Sequence, residues 1–133
     1  MRTCGAVAAW LLCFAGGIHA EEPIEVPSGQ DISFVDMVHD APGPDGLTYR
    51  FRFLAPDIAR DTGTVTADMA FDDMLTLCET FALPRMANPG PAPGQIVISL
   101  SDRPVEFGVQ NPAATQFFEA FRPEGAQCIW EGF

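Results

Sequence analysis

Residues 66–83 read TADMAFDDMLTLCETFAL, the one long run in this chain with a helical period. Phe71, Met74, Leu75, Cys78 and Ala82 fall at i, i+3, i+4, i+7 and i+11 and so share one side of a helix. Asp68, Asp72, Asp73 and Glu79 take the remaining surface, a solvated acidic face. Thr66 stands where a hydroxyl can accept from the first unpaired N–H groups of the helix, and Asp68 lies near the positive end of its dipole. The run also carries Cys78, while Cys128 opens the C-terminal CIWEGF. This pattern predicts a helix packed on a sheet and stapled to the last strand.

Upstream of the helix, residues 47–55 read LTYRFRFLA and alternate with period two. Leu47, Tyr49, Phe51 and Phe53 point to one side of a strand; Thr48, Arg50 and Arg52 point to the other. The sheet therefore has an apolar face and, along this strand, a polar one. Residues 32–39, ISFVDMVH, form a second strand whose alternation changes phase between Phe34 and Val35. Either both its faces are partly buried or a bulge intervenes. The intervening DAPGPDG at 40–46 carries the turn residues of a hairpin. Residues 21–29, with Pro23 and Pro27, read as a leader or an edge segment.

Downstream, residues 84–94, PRMANPGPAPG, form a loop, and 95–101, QIVISLS, a strand. Val105 to Phe107 reads as a short hairpin partner after the turn Asp102–Arg103–Pro104. Asn111–Pro112 has the form of an N-cap with proline at the first helical position. It predicts a second helix to Phe121, burying Phe117 and Phe121, with Phe118 as a further candidate for burial. Residues 126–131 complete the sheet. The expected order is ββαββαβ: an α+β two-layer sandwich, a mainly antiparallel sheet with two helices on one face.

The N-terminus has a different character. Arg2 precedes an apolar run from Ala6 to Ala15, and Ile18–His19–Ala20 resembles a small-residue cleavage site. Residues 1–20 read as a secretory signal peptide, too short in its apolar core to span a bilayer. Residues 21–133 read as a single α+β domain, periplasmic or secreted, with no membrane span of its own. Setting Arg2 aside leaves six basic residues, all arginine, against eighteen acids. Nucleic acids and anionic lipid need a basic patch, so both are disfavoured as partners. Two cysteines remain in residues 21–133, and an oxidising compartment favours their pairing, Cys78 with Cys128.

Chemistry-bearing residues are few. His39, the one histidine beyond the leader, precedes Asp40 and could act as a general base beside a carboxylate; its plainer reading is a polar strand end. Asp68, Asp72 and Asp73, or Asp40 and Asp45, offer clustered oxygens, but without the spacing of a calcium loop. Arg50 and Arg52 share the polar face of their strand, where forked guanidinium groups can bind a carboxylate or phosphate, or pair with Asp36 or Glu131. The candidate ligand-binding residues are therefore Arg50, Arg52 and His39. No motif points to a metal, a cofactor or a catalytic residue.

HDAPGPDGLTYRFRF, LCETFALPR, ISLSDRPVEFG, ATQFFEAF and CIWEGF together resemble an uncharacterised family of small exported proteins from marine alphaproteobacteria of the Rhodobacter group. The resemblance covers nearly all of residues 21–133 and implies no established activity. The expected function is a non-enzymatic module binding an envelope or periplasmic protein or a small ligand. The alternatives are a small exported hydrolase using His39 with nearby carboxylates, and a structural protein or inhibitor of the envelope.

Overall fold

The computed structural model describes residues 23–39, 47–86 and 94–132. Five strands form one sheet: β1 (Ser33–His39), β2 (Thr48–Leu54), β3 (Gln95–Ser101), β4 (Gln116–Glu124) and β5 (Gln127–Glu131). They lie in sequence order across the sheet. β1 pairs antiparallel with β2, β3 with β4, and β4 with β5, whereas β2 and β3 run parallel. A parallel neighbour requires a crossover, and the chain between β2 and β3 supplies it with the helix.

That helix, α1 (Ala67–Leu77), widens into a π turn at Cys78–Ala82 and closes with a last turn at Leu83–Arg85. Thr66 caps it as expected, its Oγ1 accepting from the Met69 N–H at 3.3 Å. The wide turn precedes Pro84, whose ring would otherwise meet the carbonyl four residues back. Ala70, Asp73, Met74, Leu77, Cys78, Phe81 and Ala82 are buried, while Phe71 and Leu75 are only half-buried. The inward stripe is thus rotated from the one that hydrophobicity alone traces, because it runs through small Ala70 and polar Asp73.

Under the helix lie Phe51 and Phe53 of β2, Ile96, Ile98 and Leu100 of β3, and Phe121 of β4, all essentially inaccessible. These six side chains and the apolar residues of the helix stripe, joined by Ile32, Ala55, Ile58, Val65 and Cys128, make the core. The irregularity in β1 is a bulge: the register slips between Phe34 and Asp36, so Phe34 and Met37 both face the core side opposite Phe53 and Phe51. Phe34 then meets Phe81 at 4.9 Å between ring centroids. The 40–46 turn, with Asp40 and Asp45, lies outside the described residues.

Two sequence expectations are overturned. The second helix does not form: residues 116–124 are strand β4, so the order is ββαβββ rather than ββαββαβ, with one helix on a mixed sheet. Asn111 does fold the local turn that a cap would, its Oδ1 accepting from the Ala113 N–H at 3.2 Å. The chain then extends because QFFEAF alternates: Phe117, Glu119 and Phe121 face the helix side, opposite Leu100, Ile98 and Ile96. Central β3, buried at five successive positions, needs a partner on its second edge, and this aromatic segment provides it. The short strand at Val105–Phe107 is also absent, and that segment belongs to a loop.

The bridge from Cys78 to Cys128 ties the helix to β5, with a Cα–Cα distance of 6.2 Å. Beside it Trp130 packs edge-on against Phe71 at 5.6 Å, and its indole N–H donates to Glu119 at 2.7 Å. The β4–β5 hairpin turns at Gly125–Ala126, where only Gly125 has positive φ, at 60°. That is the pattern of a type II′ turn, which matches the twist of the flanking strands.

The segment before β1 is a packed strap. Pro27 and Ser28 occupy a turn closed by the Gly29 N–H on the Val26 carbonyl at 2.9 Å. The turn delivers Ser28 to Asp73: the Ser28 N–H reaches Oδ1 at 2.9 Å, and its hydroxyl donates to Oδ2. Gln30 adds a third donor through Nε2 at 2.7 Å. Asp73, assigned to the solvated acidic face by sequence, is instead wholly buried.

Candidate functional site

The sheet face away from the helix carries alternate residues of each strand. One cross-strand row runs Asp36, Arg52, Ser99, Phe118, and the next Val38, Arg50, Val97, Ala120. Asp36 pairs with Arg52 at 2.8 Å, as a cross-strand neighbour should. Glu131, the other acid in reach by sequence, accepts instead from Gln95 at 3.1 Å.

This face is crossed by the loop between β3 and β4, residues 102–115. Its ends are tied. The Asp102 N–H donates to the Thr115 carbonyl at 3.0 Å, and the Thr115 N–H donates to Asp102 Oδ1 at 2.8 Å. Arg60, beyond β2, donates from Nη2 to the Ala114 carbonyl at 2.9 Å. In mid-span Arg52 Nη2 donates to the Val105 carbonyl. The tip is a turn from Glu106 to Val109 with Gly108 at φ 78°, the conformation a type II turn requires at its third position. That turn sets Phe107 above the sheet.

The loop divides the face into two clefts that meet at Arg52. One, of about 430 Å³, lies between Asp36 and Pro104. The other, of about 470 Å³, has Arg50, Arg52, Ser99, Gln116 and Phe118 as its floor and residues 105–112 as its far wall. In it the Arg50 guanidinium carbon sits 5.3 Å from the Phe107 ring centroid and 5.9 Å from that of Phe118. The Arg52 guanidinium carbon lies 5.8 Å from Phe107. Two cations thus converge on one aromatic ring, an arrangement favoured by the ring quadrupole. Phe107 is 48 % and Phe118 44 % exposed, so both rings keep apolar surface open toward the cleft.

Asp102 fixes the base of the loop. Its side chain is only 3 % exposed. The Arg103 guanidinium beside it, 2.9 Å away, outweighs burial and, with the Thr115 N–H, holds its carboxyl below the usual carboxylate range. A depressed folded value means that this contribution is complete above the unfolded value, about 4, and is lost as pH falls through the folded one. The loop base is therefore expected to loosen only below about pH 4. Hydrogen exchange at the Thr115 amide, followed from pH 6 to pH 3 and corrected for intrinsic rates, checks this. Protection of the same amide at pH 6 that is unchanged in an Asp102→Ala variant would show that the Asp102 carboxylate does not hold the loop.

The candidate residues named from sequence separate into two places. Arg50 and Arg52 stand together in the cleft. His39 is on the other side of the sheet, exposed at the end of β1, with its ring edge-on to Tyr49 at 4.6 Å. Asp68 and Asp72 are exposed on the helix. Among the described residues no group of three or more His, Cys, Asp or Glu side chains is arranged to hold a metal ion. Sequence reasoning missed Phe107, Phe118 and Asp102. Val105 to Phe107 reads by sequence as a short strand, and the loop's course over the arginines depends on which strands neighbour β3.

Fold and site together define a mixed-sheet domain with one helical layer and a loop-roofed cleft of ligand size on its other face. The chain belongs to the family of unknown function DUF6497, whose model matches residues 11–133. No curated protein and no solved structure matches it. Among the described residues no helix is long and apolar enough to cross a membrane.

Proposed function

We propose that this protein is an exported, non-enzymatic binding module, periplasmic or secreted, which takes a small anionic ligand into the cleft between the sheet and the 102–115 loop. The observation that carries this reading is the convergence of Arg50 and Arg52 on Phe107 inside a cleft of about 470 Å³. Cavities of that size suit small organic molecules, and a few polar groups among aromatic walls are what such sites use for orientation. Forked guanidinium groups suit an anion. Export is supported by the leader-like residues 1–20 and by the disulfide, a bond that persists in oxidising compartments.

A fragment screen on uniformly ¹⁵N-labelled, disulfide-intact protein tests the binding site. Anionic fragments are expected to shift the amides of Ser99, Gly108 and Gln116, and Arg50→Gln is expected to abolish those shifts. Hits confined to other surfaces, or a stoichiometric protein partner that covers this face, would overturn the reading. N-terminal sequencing of the protein recovered from its native cells tests export separately, with Glu21 as the expected first residue.

A further inference from the structure

We infer that the outer edge of β1 is a docking site for an extended, basic segment of another protein, which adds to the sheet as a further strand. The two edges of the sheet differ. At β5 the Cys128 N–H donates to Glu79 at 3.3 Å, and the disulfide beside it holds the helix against that strand. At β1 the ladder with β2 is, among the described residues, the strand's only backbone pairing, so its other row of N–H and C=O groups meets no strand. β1 also has no lysine or proline, the residues that commonly blunt a free edge. Phe34, Val35 and Met37 are all exposed, Val35 the most at 51 %. An unpaired row of backbone donors and acceptors is satisfied by another extended backbone, whose alternate side chains then meet those of the edge.

The edge leads to a groove. The bulge between Phe34 and Asp36 leaves Asp36 to His39 in regular register, and a segment paired there runs past the bulge to Ser33. Beside Ser33 and Phe34, on the helix side of the sheet, a cavity of about 660 Å³ is walled by Ile24 of the strap and by Phe81 and Arg85 of the helix. Phe34 and Phe81, 4.9 Å apart between ring centroids, form its apolar wall. A side chain of the added strand directly across from Phe34 has its Cβ about 5 Å from that of Phe34 and enters this cavity. An aliphatic or aromatic residue suits it.

Charge selects the partner. Asp36 is already paired with Arg52 at 2.8 Å and does not count. Asp31, in the groove wall, and Glu25, on the strap, are exposed and have no hydrogen bond or ion pair among the described residues. They outnumber Arg85, the one cation lining the groove. Arg85 is moreover engaged within the helix: its Nη1 donates to the Phe81 carbonyl at 2.9 Å, and its guanidinium carbon lies 3.4 Å from the Phe81 ring centroid. The charge left to answer at this edge is therefore negative, in a chain whose formal net charge is −11. A second copy is a poor occupant. It is equally acidic, and its residues 31–39, DISFVDMVH, would bring two further aspartates and no lysine or arginine. A segment that alternates apolar with basic residues satisfies backbone, groove and charge together.

The experiment uses the disulfide-intact protein and an acetylated, amidated heptapeptide that alternates lysine with valine and leucine. One comparison peptide replaces lysine by glutamate. Another is N-methylated at successive central residues, which strips N–H groups from both its backbone edges. By ¹H–¹⁵N NMR the lysine peptide is expected to shift the amides of residues 33–39 and to slow exchange of those that face outward. It is expected to bind about tenfold tighter than the glutamate peptide at low ionic strength, a margin that narrows with salt, and the N-methylated peptide is expected not to bind. Asp31→Asn is expected to cut the preference for lysine over glutamate about threefold, and Val35→Lys to weaken the lysine peptide about fivefold. Both positions are exposed, so neither change should move the thermal unfolding midpoint. Equal binding of the N-methylated peptide would overturn strand addition, and equal binding of the glutamate peptide would overturn the partner's charge. Sedimentation equilibrium of the protein alone is expected to give a monomer; a dimer with slowed exchange in β1 would put a second copy on this edge and overturn the proposal. So would lysine-peptide shifts confined to the cleft amides of Ser99, Gly108 and Gln116, or no shifts at all.

Discussion

The double variant Cys78→Ala/Cys128→Ala is expected to lose about 4 kcal/mol of unfolding free energy, the figure that loop-closure entropy assigns to a loop of this length. The two cysteines are separated by 50 positions, and the loop they close contains β3, the cleft-roofing loop and β4. Without the bridge the unfolded chain regains the freedom of that whole loop. The native state also loses a covalent link between its two layers. Cys78 is fully buried and Cys128 nearly so, and β5 is an edge strand with only β4 beside it. The measurement is equilibrium denaturation of oxidised wild type against the variant, with a fall in melting temperature on the order of 15 °C as a second reading. Amide exchange should accelerate first in β5, whose hold on the helix then rests on the Trp130–Phe71 contact and the Cys128 N–H bond to Glu79. A loss below about 1 kcal/mol would mean that packing alone secures β5 and that the chain-entropy argument fails here.

Asp73→Ala is expected to cost about 3 kcal/mol, because hydrogen bonds to a charged group contribute about 1.5–3 kcal/mol and their loss leaves buried donors without acceptors. The carboxylate is wholly inaccessible and gathers two donors from Ser28 and one from Gln30. It is the polar fastener between α1 and the segment that enters β1. That segment also lays Ile24, Val26 and Ile32 on the core, so freeing it exposes apolar surface as well. Asp73→Asn keeps one acceptor oxygen without the charge and should lose about half as much. Denaturation gives the energies, and amide exchange at residues 28–32 gives the location. An alanine variant within about 0.5 kcal/mol of wild type would show that water or a rearranged Gln30 replaces the carboxylate at little cost.

Much of the sheet is legible in the sequence because the side-chain period of a strand is local. Alternation in 47–55 and 95–101 identifies β2 and β3 and tells which face each residue takes. Phe51, Phe53, Ile96, Ile98 and Leu100 are buried on the face that the period assigns. The phase change near Phe34 signals a departure from alternation, and the bulge absorbs it.

Residues 111–124 are the instructive failure. Asn–Pro is helix-entry chemistry and Ala-Ala-Thr-Gln-Phe-Phe-Glu-Ala-Phe is compatible with a helical stripe. The same residues alternate acceptably as a strand, and nothing local separates the two readings. The outcome is settled by β3, a strand buried at five successive positions whose free edge must be hydrogen-bonded. Asp73 is a second case of the same kind. A carboxylate on a helix looks solvent-facing until its three donors, 43 and 45 positions away in sequence, are known.

The candidate site divides along the same line. That Arg50 and Arg52 share the polar face of a strand is readable from residues 47–55 alone, since period-two alternation is a property of adjacent residues. The helix, its Thr66 cap and the strands on either side are readable in the same way. The parallel run of β2 and β3, the strand β4 in place of a helix, and the resulting path of the 102–115 loop over those arginines with Phe107 above them emerge from the assembled fold. Local residue types set dihedral preference and side-chain facing. Which edges must be paired, and where a loop lands, depend on hydrogen bonds and packing between segments far apart in the chain, which no short window of sequence contains.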